Sequence, residues 1–498
     1  MAFAITQTCC ADASCVAVCP VNCIHPTPDE PDFGTTDMLY VDPRTCIDCG
    51  ACADACPVDA IFPVDALTAA MRPYADINAG YYAGRAPVAA DPSPNFHAWG
   101  PPDFTRTIPG DFPELDVAVV GSGPAGMYAV QDLLLHTSAR VTLLDRLLVA
   151  GGLLRFGVAP DHTSTRKIGD TFARLHHHPR LRLRLGVEVG RDVSTDELAA
   201  RHDAVIYAVG AASPRPLGIP GEDLSLAATT VVGWYNGHPD VPANAVHLSA
   251  ERVVVVGTGN VALDVARILT ADPADLAGTA IAPHALAALR ASKVREVVLL
   301  GRGGPESAAY TRSELLALAQ RSSVDLAVDA HDPRIPAAID GALGKAGLLR
   351  GVDRVSVDWS APPAHDRRRI VLRFHATPVE LSDDQNLWVD GAHGVAKIVT
   401  GQVVHAVGHR STALSGLPFD ETTGTIPNTA GRVHGRPGAY VVGWAKRGST
   451  GGIGANRTCA AETVGTLLED VVAGRLPGGA ATTRSAWPRL WPRRSGRA

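Results

Sequence analysis

Apolar positions in this chain form short continuous runs, each followed by a glycine-rich turn and a longer helical pattern. The run Val117–Val120 is apolar throughout, which is typical of a parallel strand buried on both faces. A turn and a helical stretch follow it, and a second apolar strand then ends at Asp145. This order predicts a strand–helix–strand unit that binds a nucleotide.

The turn after this strand contains Gly121, Gly123, Ala125 and Gly126. Gly121 permits a tight turn, Gly123 lets the backbone approach a pyrophosphate, and Gly126 lets the helix pack closely on the strand. The helix then begins with its partial positive charge facing the phosphates. Asp145 lies about twenty residues further on, where an acid accepts a hydrogen bond from a ribose hydroxyl.

The same pattern recurs downstream, which indicates two dinucleotide sites in one chain. The apolar run Val253–Val256 leads into a turn and helix that contain Gly257, Gly259, Asn260 and Val261. Between about residues 330 and 390 the polar and apolar residues alternate, which predicts strands completing an inserted domain. The chain is then expected to return to the first nucleotide domain at residue 403.

The residues at the end of the strand Val297–Leu300 indicate whether the second site binds NAD or NADP. A site for NAD places an acid there to bind the ribose 2′-hydroxyl, whereas this strand ends near Arg302. A guanidinium can pair with a 2′-phosphate. The sequence therefore favours NADP.

Length, composition and charge limit the number of domains, the class of protein and its partners. The 498 residues suggest about three domains, and 46% apolar with 19% charged residues is ordinary for a soluble globular protein. The net charge of −6 offers no basic field for nucleic acid. No apolar run is long enough to cross a bilayer, and the N-terminus lacks the features of a secretory signal, so a cytoplasmic location is expected.

Nine of the ten cysteines fall within the first 56 residues, which in a reducing compartment indicates a metal site. The spacing Cys46-x2-Cys49-x2-Cys52-x3-Cys56-Pro is that of a bacterial ferredoxin loop. In two-cluster ferredoxins the fourth cysteine of each such run ligates the other cluster. A [4Fe-4S] cluster is therefore predicted on Cys46, Cys49, Cys52 and Cys19.

The upstream run reads Cys9-x2-Asp12-x2-Cys15-x3-Cys19-Pro, so a second cluster on Cys9, Cys15 and Cys56 is one thiolate short. Three alternatives stay open: a [3Fe-4S] cluster, a [4Fe-4S] cluster with Asp12 as an oxygen ligand, or a site completed by Cys10. Otherwise Cys10 and Cys23 are expected to be small buried residues near the clusters.

Two stretches resemble a known family. Residues 19–31, CPVNCIHPTPDEP, resemble the fused ferredoxin domain of bacterial ferredoxin–NADP reductases, over roughly residues 3–62. Residues 151–162, GGLLRFGVAPDH, resemble flavoproteins of the adrenodoxin-reductase type. This resemblance implies FAD in the first nucleotide site and His162 near the flavin ring, as a candidate for handling a proton. It also implies flavin contacts at Gly152, Leu153, Arg155 and Val158.

The resemblance continues into the second site and the C-terminal part. It implies a pyridine nucleotide at residues 259–269, GNVALDVARIL, and a nicotinamide ribose near Glu314. The family has two adjacent arginines where this chain has Arg302 and Gly303, for which Arg312 could compensate. The family acid that partners the flavin-side histidine aligns with Ala317, which weakens the case for a catalytic pair. The GWAKRGSTGGIG stretch implies flavin-ring contacts from Gly443, Trp444, Gly451 and Ile453.

The sequence thus predicts an α/β protein with two Rossmann-like three-layer domains, one for FAD and one for NADP, preceded by a small α+β ferredoxin-like domain. The expected boundaries are 1–65 for the iron–sulfur domain, 66–113 for a Pro/Gly-rich linker in which Tyr81 and Tyr82 offer anchors, 114–212 with 403–475 for FAD, 213–402 for NADP, and 476–498 for a basic tail.

The predicted activity is that of a ferredoxin–NADP⁺ reductase, which passes electrons from NADPH through FAD to clusters and a one-electron acceptor protein. An electron-input subunit of the glutamate-synthase type is a rival, disfavoured by the ferredoxin-like cysteine spacing. A non-catalytic redox sensor is the other rival, and steady NADPH turnover with a one-electron acceptor would argue against it.

Overall fold

The strand Asp116–Val120 lies inside a seven-stranded sheet, as its apolar sequence predicts. It pairs in parallel with a strand on each side, in register from Val117 onward. The pairings among the first three strands of the sheet are antiparallel and the others are parallel. The order across the sheet is Asn428–Thr429, Arg432–Val433, Ala439–Val441, Ala204–Tyr207, Asp116–Val120, Arg140–Asp145 and Leu181–Leu185.

The computed structural model describes residues 2–85, 106, 108–321, 323–341, 344–365, 367–384 and 386–477. These residues divide into two units. The first unit comprises residues up to 155, 164–213 and those from 409 onward, and the second comprises 156–163 and 214–408. The predicted basic tail lies outside the described residues from residue 478 onward, as do residues 86–105 and 107 of the predicted linker.

The second unit is built on an all-parallel sheet with a core on each face. Within the strand Arg252–Val256, Val253 and Val255 pack among helices, while Val254 and Val256 pack against a three-stranded antiparallel sheet. That smaller sheet consists of Thr377–Leu381, Asn386–Gly391 and Gly394–Val399. Strands were predicted over about residues 330–390, and the structure has them from residue 353 onward but a helix, Arg334–Gly341, in the first part of that range. The parallel order is Leu226–Ala227, Gln402–His405, Arg252–Val256, Glu296–Leu300, Arg369–Arg373, Asp325–Asp329 and Asp353–Val355.

One strand differs from its expected place. Gln402–His405 was predicted to return the chain to the first nucleotide domain, but it pairs in parallel with Arg252–Val256 in the second sheet. The first unit resumes only at residue 409. A short apolar run fits the interior of either parallel sheet equally well, so its periodicity predicts a buried strand without its partner.

The iron–sulfur part extends beyond the predicted boundary at residue 65. Within the expected linker, Pro73–Tyr81 forms a helix whose buried Asn78 accepts hydrogen bonds from the backbone of Ile5 at 3.2 Å and Val41 at 2.8 Å. Tyr82 donates to the carbonyl of Tyr40 at 2.6 Å. This segment is anchored by the buried side chains of Tyr74, Asn78 and Tyr82, which stand four residues apart. The strands of this part are Phe3–Ile5, Ile24–His25, Tyr40–Val41 and Ile61–Pro63.

Helices surround these sheets, and none of those within the described ranges is long and apolar enough to cross a membrane. Up to residue 213 they are Ser14–Ala17, Ala51–Ala55, Pro73–Tyr81, Pro124–His136, Gly152–Phe156, Thr163–Arg166, Ile168–Leu175 and Thr195–Arg201. Beyond it they are Ala228–Tyr235, Asn260–Thr270, Pro273–Leu276, Pro283–Arg290, Arg312–Ala319, Arg334–Gly341, Trp444–Arg447 and Ala455–Val472. Two further short strands are Ser213–Pro214 and His409–Arg410.

Candidate functional site

The first nucleotide turn is packed so tightly that two of its glycines admit no side chain. Gly121 has a φ of +108° and donates its N–H to the carbonyl of Leu144 at 2.7 Å. A Cβ on Gly121 would lie 2.3 Å from the carbonyl oxygen of Ala208, and one on Gly126 would lie 1.9 Å from that of Gly121. Both residues are therefore required for the helix to start directly behind the strand.

The residues predicted around a bound dinucleotide converge on this turn. A Cβ on Gly152 would lie 2.8 Å from Cα of Gly123, and a Cβ on Gly443 would lie 2.6 Å from Cβ of Ala125. Gly123 precedes the helix, and no side chain in the described residues caps the helix N-terminus. Uncapped N–H groups beside backbone without side chains fit the pyrophosphate of a dinucleotide.

Asp145 holds the turn from the neighbouring strand. Its carboxylate accepts hydrogen bonds from the backbone N–H of Ser122 and of Leu147, each at 2.9 Å. The hydroxyl of Ser122 also donates to it. The carboxylate thus has a structural role, and the predicted contact with a ribose stays a prediction.

The C-terminal loop expected at the flavin is fixed by its own backbone. The indole N–H of Trp444 donates to the carbonyls of Thr450 at 3.1 Å and Gly451 at 3.2 Å. Ser449 donates from its hydroxyl to the carbonyl of His409 at 2.8 Å. The loop ends with Ile453, next to the C-terminal helix. The first residues of the GGLLRFGVAPDH stretch belong to the first unit. Among them, Leu153 is exposed and Arg155 lies in the helix Gly152–Phe156.

The second nucleotide turn repeats the geometry of the first. Gly257 has a φ of +133°, and a Cβ there would lie 2.5 Å from the carbonyl oxygen of Ala406. Gly259 precedes the helix that starts at Asn260, whose side chain accepts from the N–H of Thr311 at 2.9 Å. The next helical residue, Val261, packs on the core, and Arg302 is exposed just beyond its strand.

His162 lies in a cluster of charged side chains, all within the second unit. Its Nε2 lies 3.7 Å from a carboxylate oxygen of Asp264 and 3.8 Å from one of Glu314. Arg267 donates to the same nitrogen at 2.7 Å. Because a guanidinium can only donate, Nε2 acts as the acceptor here and carries no proton in this arrangement. Near His162, the carbonyl of Val158 accepts from Asn236 at 3.1 Å.

Buried Arg267 balances the acidic groups of this cluster. It donates to Asp161 and Asp264, and Arg321 donates to Asp161 at 2.8 Å. Burial raises the pKa of Asp161, but the charge and hydrogen bond of Arg267, together with the nearby His162 and Arg321, lower it more, so the net pKa lies below the usual range. Burial raises the pKa of Glu314 above its ordinary value. The spacing of His162, Asp264 and Glu314 would also suit a divalent ion, but Arg267 already supplies positive charge there.

This cluster gives His162 two acidic neighbours. Ala317 stands at the position of the family acid, which weakened the case for a catalytic pair. Asp264 and Glu314 each place a carboxylate oxygen within 4 Å of Nε2 of His162. Asp264 and Arg267 were missed, although they stand three residues apart on the predicted helix, the spacing at which side chains meet.

The cysteines of the first predicted cluster come together as expected from crossed ligation. Burial raises the pKa of Cys52 to about 12, and the nearby thiolates of Cys19, Cys46 and Cys49 add to this shift. Cys23 lies among them, with its Sγ 3.4 Å from that of Cys19. Its hydrogen bonds lower the pKa values of Cys19 and Cys46 to about 6, which favours the thiolate form that binds iron.

The second predicted site is a small pocket lined mainly by cysteine and apolar side chains. Burial raises the pKa of Cys9 to about 11, with smaller contributions from Cys56 and Asp12. The apolar walls keep water from the sulfur atoms, which suits an iron–sulfur cluster. The cavity is lined by Cys9, Cys10, Asp12, Cys15 and Cys56 together with Ile5, Leu39, Val58, Ala60 and Ile61.

Comparisons with known proteins show the family of the chain. The family model for pyridine nucleotide-disulphide oxidoreductases matches residues 115–297, and that for the 4Fe-4S binding domain matches residues 39–62. A "Probable ferredoxin/ferredoxin--NADP reductase" of Mycobacterium tuberculosis is 45% identical over 500 residues, which cover 97% of this chain and 86% of the relative. The chain belongs to the ferredoxin–NADP reductase family. It is therefore an oxidoreductase, and the family favours this activity over a synthase subunit or a sensor.

Other members of the ferredoxin–NADP reductase family match most of the chain. The NADPH-ferredoxin reductase FprA of M. tuberculosis is 44% identical over 393 residues, 71% of this chain and 84% of FprA. A solved structure of M. tuberculosis FprA in complex with NADPH has a TM-score of 0.66 at 40% identity and covers 74% of this chain and 87% of that one. These matches confirm the α/β fold with two nucleotide-binding domains, and the 4Fe-4S match confirms the N-terminal iron–sulfur domain.

Proposed function

We propose that this chain transfers electrons between NADPH and its own iron–sulfur clusters through FAD, and that a separate ferredoxin-like or other one-electron carrier protein exchanges electrons with the clusters. One contact within the first unit carries the proposal. Gly454, at the end of the loop that resembles the flavin-ring contact, donates its N–H to the carbonyl of Cys10 at 2.9 Å. The cluster loop and the flavin loop are thus bonded to each other, which suits electron transfer without dissociation of a partner.

FAD is proposed for the first nucleotide turn. When bound, it accepts two electrons as a hydride and releases them singly. The chain contributes an uncapped helix N-terminus for the pyrophosphate and a rigid C-terminal loop for the ring. The residues proposed to contact FAD are Gly121, Gly123, Ala125, Gly126, Asp145, Gly152, Leu153, Arg155, Val158, Gly443, Trp444, Gly451 and Ile453.

NADPH is proposed for the second nucleotide turn, with Arg302 on its 2′-phosphate. The exposure of Arg302 beyond its strand supports this role, since the group must reach a ligand. Gly257, Gly259, Asn260 and Val261 would hold the pyrophosphate, and Glu314 would lie near the nicotinamide ribose. His162 is proposed to move a proton, because Glu314, a carboxyl with a raised pKa, lies 3.8 Å from its Nε2.

Two clusters are proposed for the cysteines. Cys19, Cys46, Cys49 and Cys52 would hold a [4Fe-4S] cluster, supported by their mutual proximity. The cavity with Cys9, Cys15 and Cys56 would hold a [3Fe-4S] cluster, or a second [4Fe-4S] cluster if Asp12 binds iron. All ten cysteines lie in described residues and none forms a disulfide, which supports a reducing, cytoplasmic location.

The experiment measures FAD, iron and sulfide in the purified protein, and then steady-state oxidation of NADPH with a small one-electron acceptor and with a ferredoxin. Bound FAD, iron and sulfide with sustained turnover are expected. Protein that carries flavin and clusters but oxidises NADPH only once per flavin would contradict the proposal and favour a sensor.

A further inference from the structure

The loop of the second cluster site is fastened to the start of the C-terminal helix Ala455–Val472. The residue that precedes this helix, Gly454, donates to the carbonyl of Cys10. A Cβ on Gly454 would lie 2.2 Å from that oxygen and 2.3 Å from the backbone nitrogen of Asp12. Only a glycine allows the two backbones to come this close.

The same helix reaches the side chain of Asp12 through Arg457. Nη1 of Arg457 lies 3.4 Å from Oδ2 of Asp12 and 3.2 Å from its carbonyl oxygen, and it also donates to the hydroxyl of Ser14. Ser14 in turn donates from its hydroxyl to Oδ2 and from its backbone N–H, at 3.3 Å, to Oδ1. Both oxygens of the Asp12 carboxylate therefore already accept hydrogen bonds.

These contacts compete with any bond from Asp12 to iron. The Asp12 side chain is 10% exposed and lines the cavity of Cys9, Cys15 and Cys56. To turn toward a fourth iron, the carboxylate would have to weaken its hydrogen bonds to Ser14 and Arg457, which hold it in its present orientation. It would also bring a cation close to the guanidinium of Arg457. A carboxylate is in addition a poorer ligand for cluster iron than a thiolate.

We propose that Arg457 holds Asp12 away from the fourth iron position, so that the second cluster remains [3Fe-4S]. The C-terminal helix Ala455–Val472 thereby sets the iron content of a cluster whose thiolate ligands come from the N-terminal part of the chain. Arg457 acts through Asp12 and is a positioning residue. Since this role rests on the two clusters proposed above, flavin, iron and sulfide are measured first in every variant.

The test compares the intact protein with Arg457→Gln and with the matched control Arg475→Gln. Arg475 pairs with Asp470 beyond the other end of the same helix, and its side chain is 51% exposed against 49% for Arg457. Each protein is incubated without oxygen with Fe²⁺ and dithionite. A three-iron core that dithionite has reduced by one electron takes up one Fe²⁺ to form a four-iron core, with no further electron needed.

Two quantities are measured. One is the number of iron atoms per chain, and the other is the paramagnetic resonance signal of the oxidised three-iron cluster after mild reoxidation. The parent and Arg475→Gln should keep the signal and about seven irons. Arg457→Gln should lose most of the signal and gain about one iron, whereas Arg457→Gln with Asp12→Ala should not, because the new ligand is missing.

Several results would overturn the proposal. One is an Arg457→Gln variant that keeps the three-iron signal as the parent does. Another is a parent with eight irons that falls to seven in Asp12→Ala or in Cys10→Ala, since Asp12 or Cys10 would then already be a ligand. Absence of clusters or flavin from the parent would instead refute the proposed function.

Discussion

If Arg302 binds the NADPH 2′-phosphate as proposed, recognition of the phosphate should depend on the next residue, where this chain has Gly303. A Cβ on Gly303 would lie 2.2 Å from Oγ of Ser307, which donates to the carbonyl of Gly304 at 3.0 Å. Gly303→Arg therefore forces Ser307 to turn away and lose this bond, at a cost of about 0.5–1.5 kcal/mol. Combining it with Ser307→Ala removes the clash.

A second guanidinium on the phosphate should contribute about 1.5–3 kcal/mol. The double variant Gly303→Arg with Ser307→Ala should then raise the ratio of kcat/KM for NADPH to that for NADH by roughly ten- to hundredfold. Both constants are measured at a saturating concentration of a small one-electron acceptor. Ser307→Ala alone is the control and should leave the ratio unchanged.

An unchanged ratio in the double variant would refute this reasoning. It would mean that another group already fills the position of the second family arginine, for which Arg312 is the first candidate. Gly303→Arg together with Arg312→Gln would then show whether the two positions replace each other.

Three further changes test the charge cluster and the iron–sulfur part. Arg267→Met should cost about 3–5 kcal/mol in urea unfolding, because it leaves buried Asp161 with less compensation, while Arg321→Met, at a more exposed position, should cost less. The native pKa of Glu314 is raised, so its protonated side chain contributes to the stability of the folded protein below about pH 4.3. This contribution is lost as the pH rises through the native pKa. In Glu314→Gln, the unfolding temperature should therefore vary less with pH over this range. Asn78→Ala should cost about 1–3 kcal/mol and speed iron release in urea.

The strands and turns that carry the nucleotide sites were predictable because few other structures fit their residues. Continuous apolar runs at Val117 and Val253 are compatible with parallel strands buried on both faces. The glycines after them have a backbone conformation or a close approach that other residues cannot adopt. Cysteine spacing likewise predicted an iron–sulfur domain, which the 4Fe-4S match confirms. The contact between Cys23 and Cys19 lies outside the predicted ligand sets.

Contacts between distant segments could not be read from local patterns. The helix Pro73–Tyr81 buries Tyr74 and Asn78, and the polar residue at a buried position makes its sequence resemble a linker. His162 and Asp264 are about a hundred residues apart in the sequence. Comparing only the position of the family acid, where this chain has Ala317, does not show that Asp264 lies near His162. Arg457 is an ordinary exposed arginine by sequence, and only the packing of its helix brings it to Asp12.

Transfer of electrons from NADPH to the clusters is tested most directly by one anaerobic titration of the intact protein with NADPH. Flavin absorbance and the paramagnetic resonance of the clusters are followed in the same sample. Bleaching of the flavin accompanied by reduction of at least one cluster, with no other reductant present, is predicted. A fully reduced flavin beside clusters that remain oxidised, although dithionite reduces them, would contradict the proposed electron path.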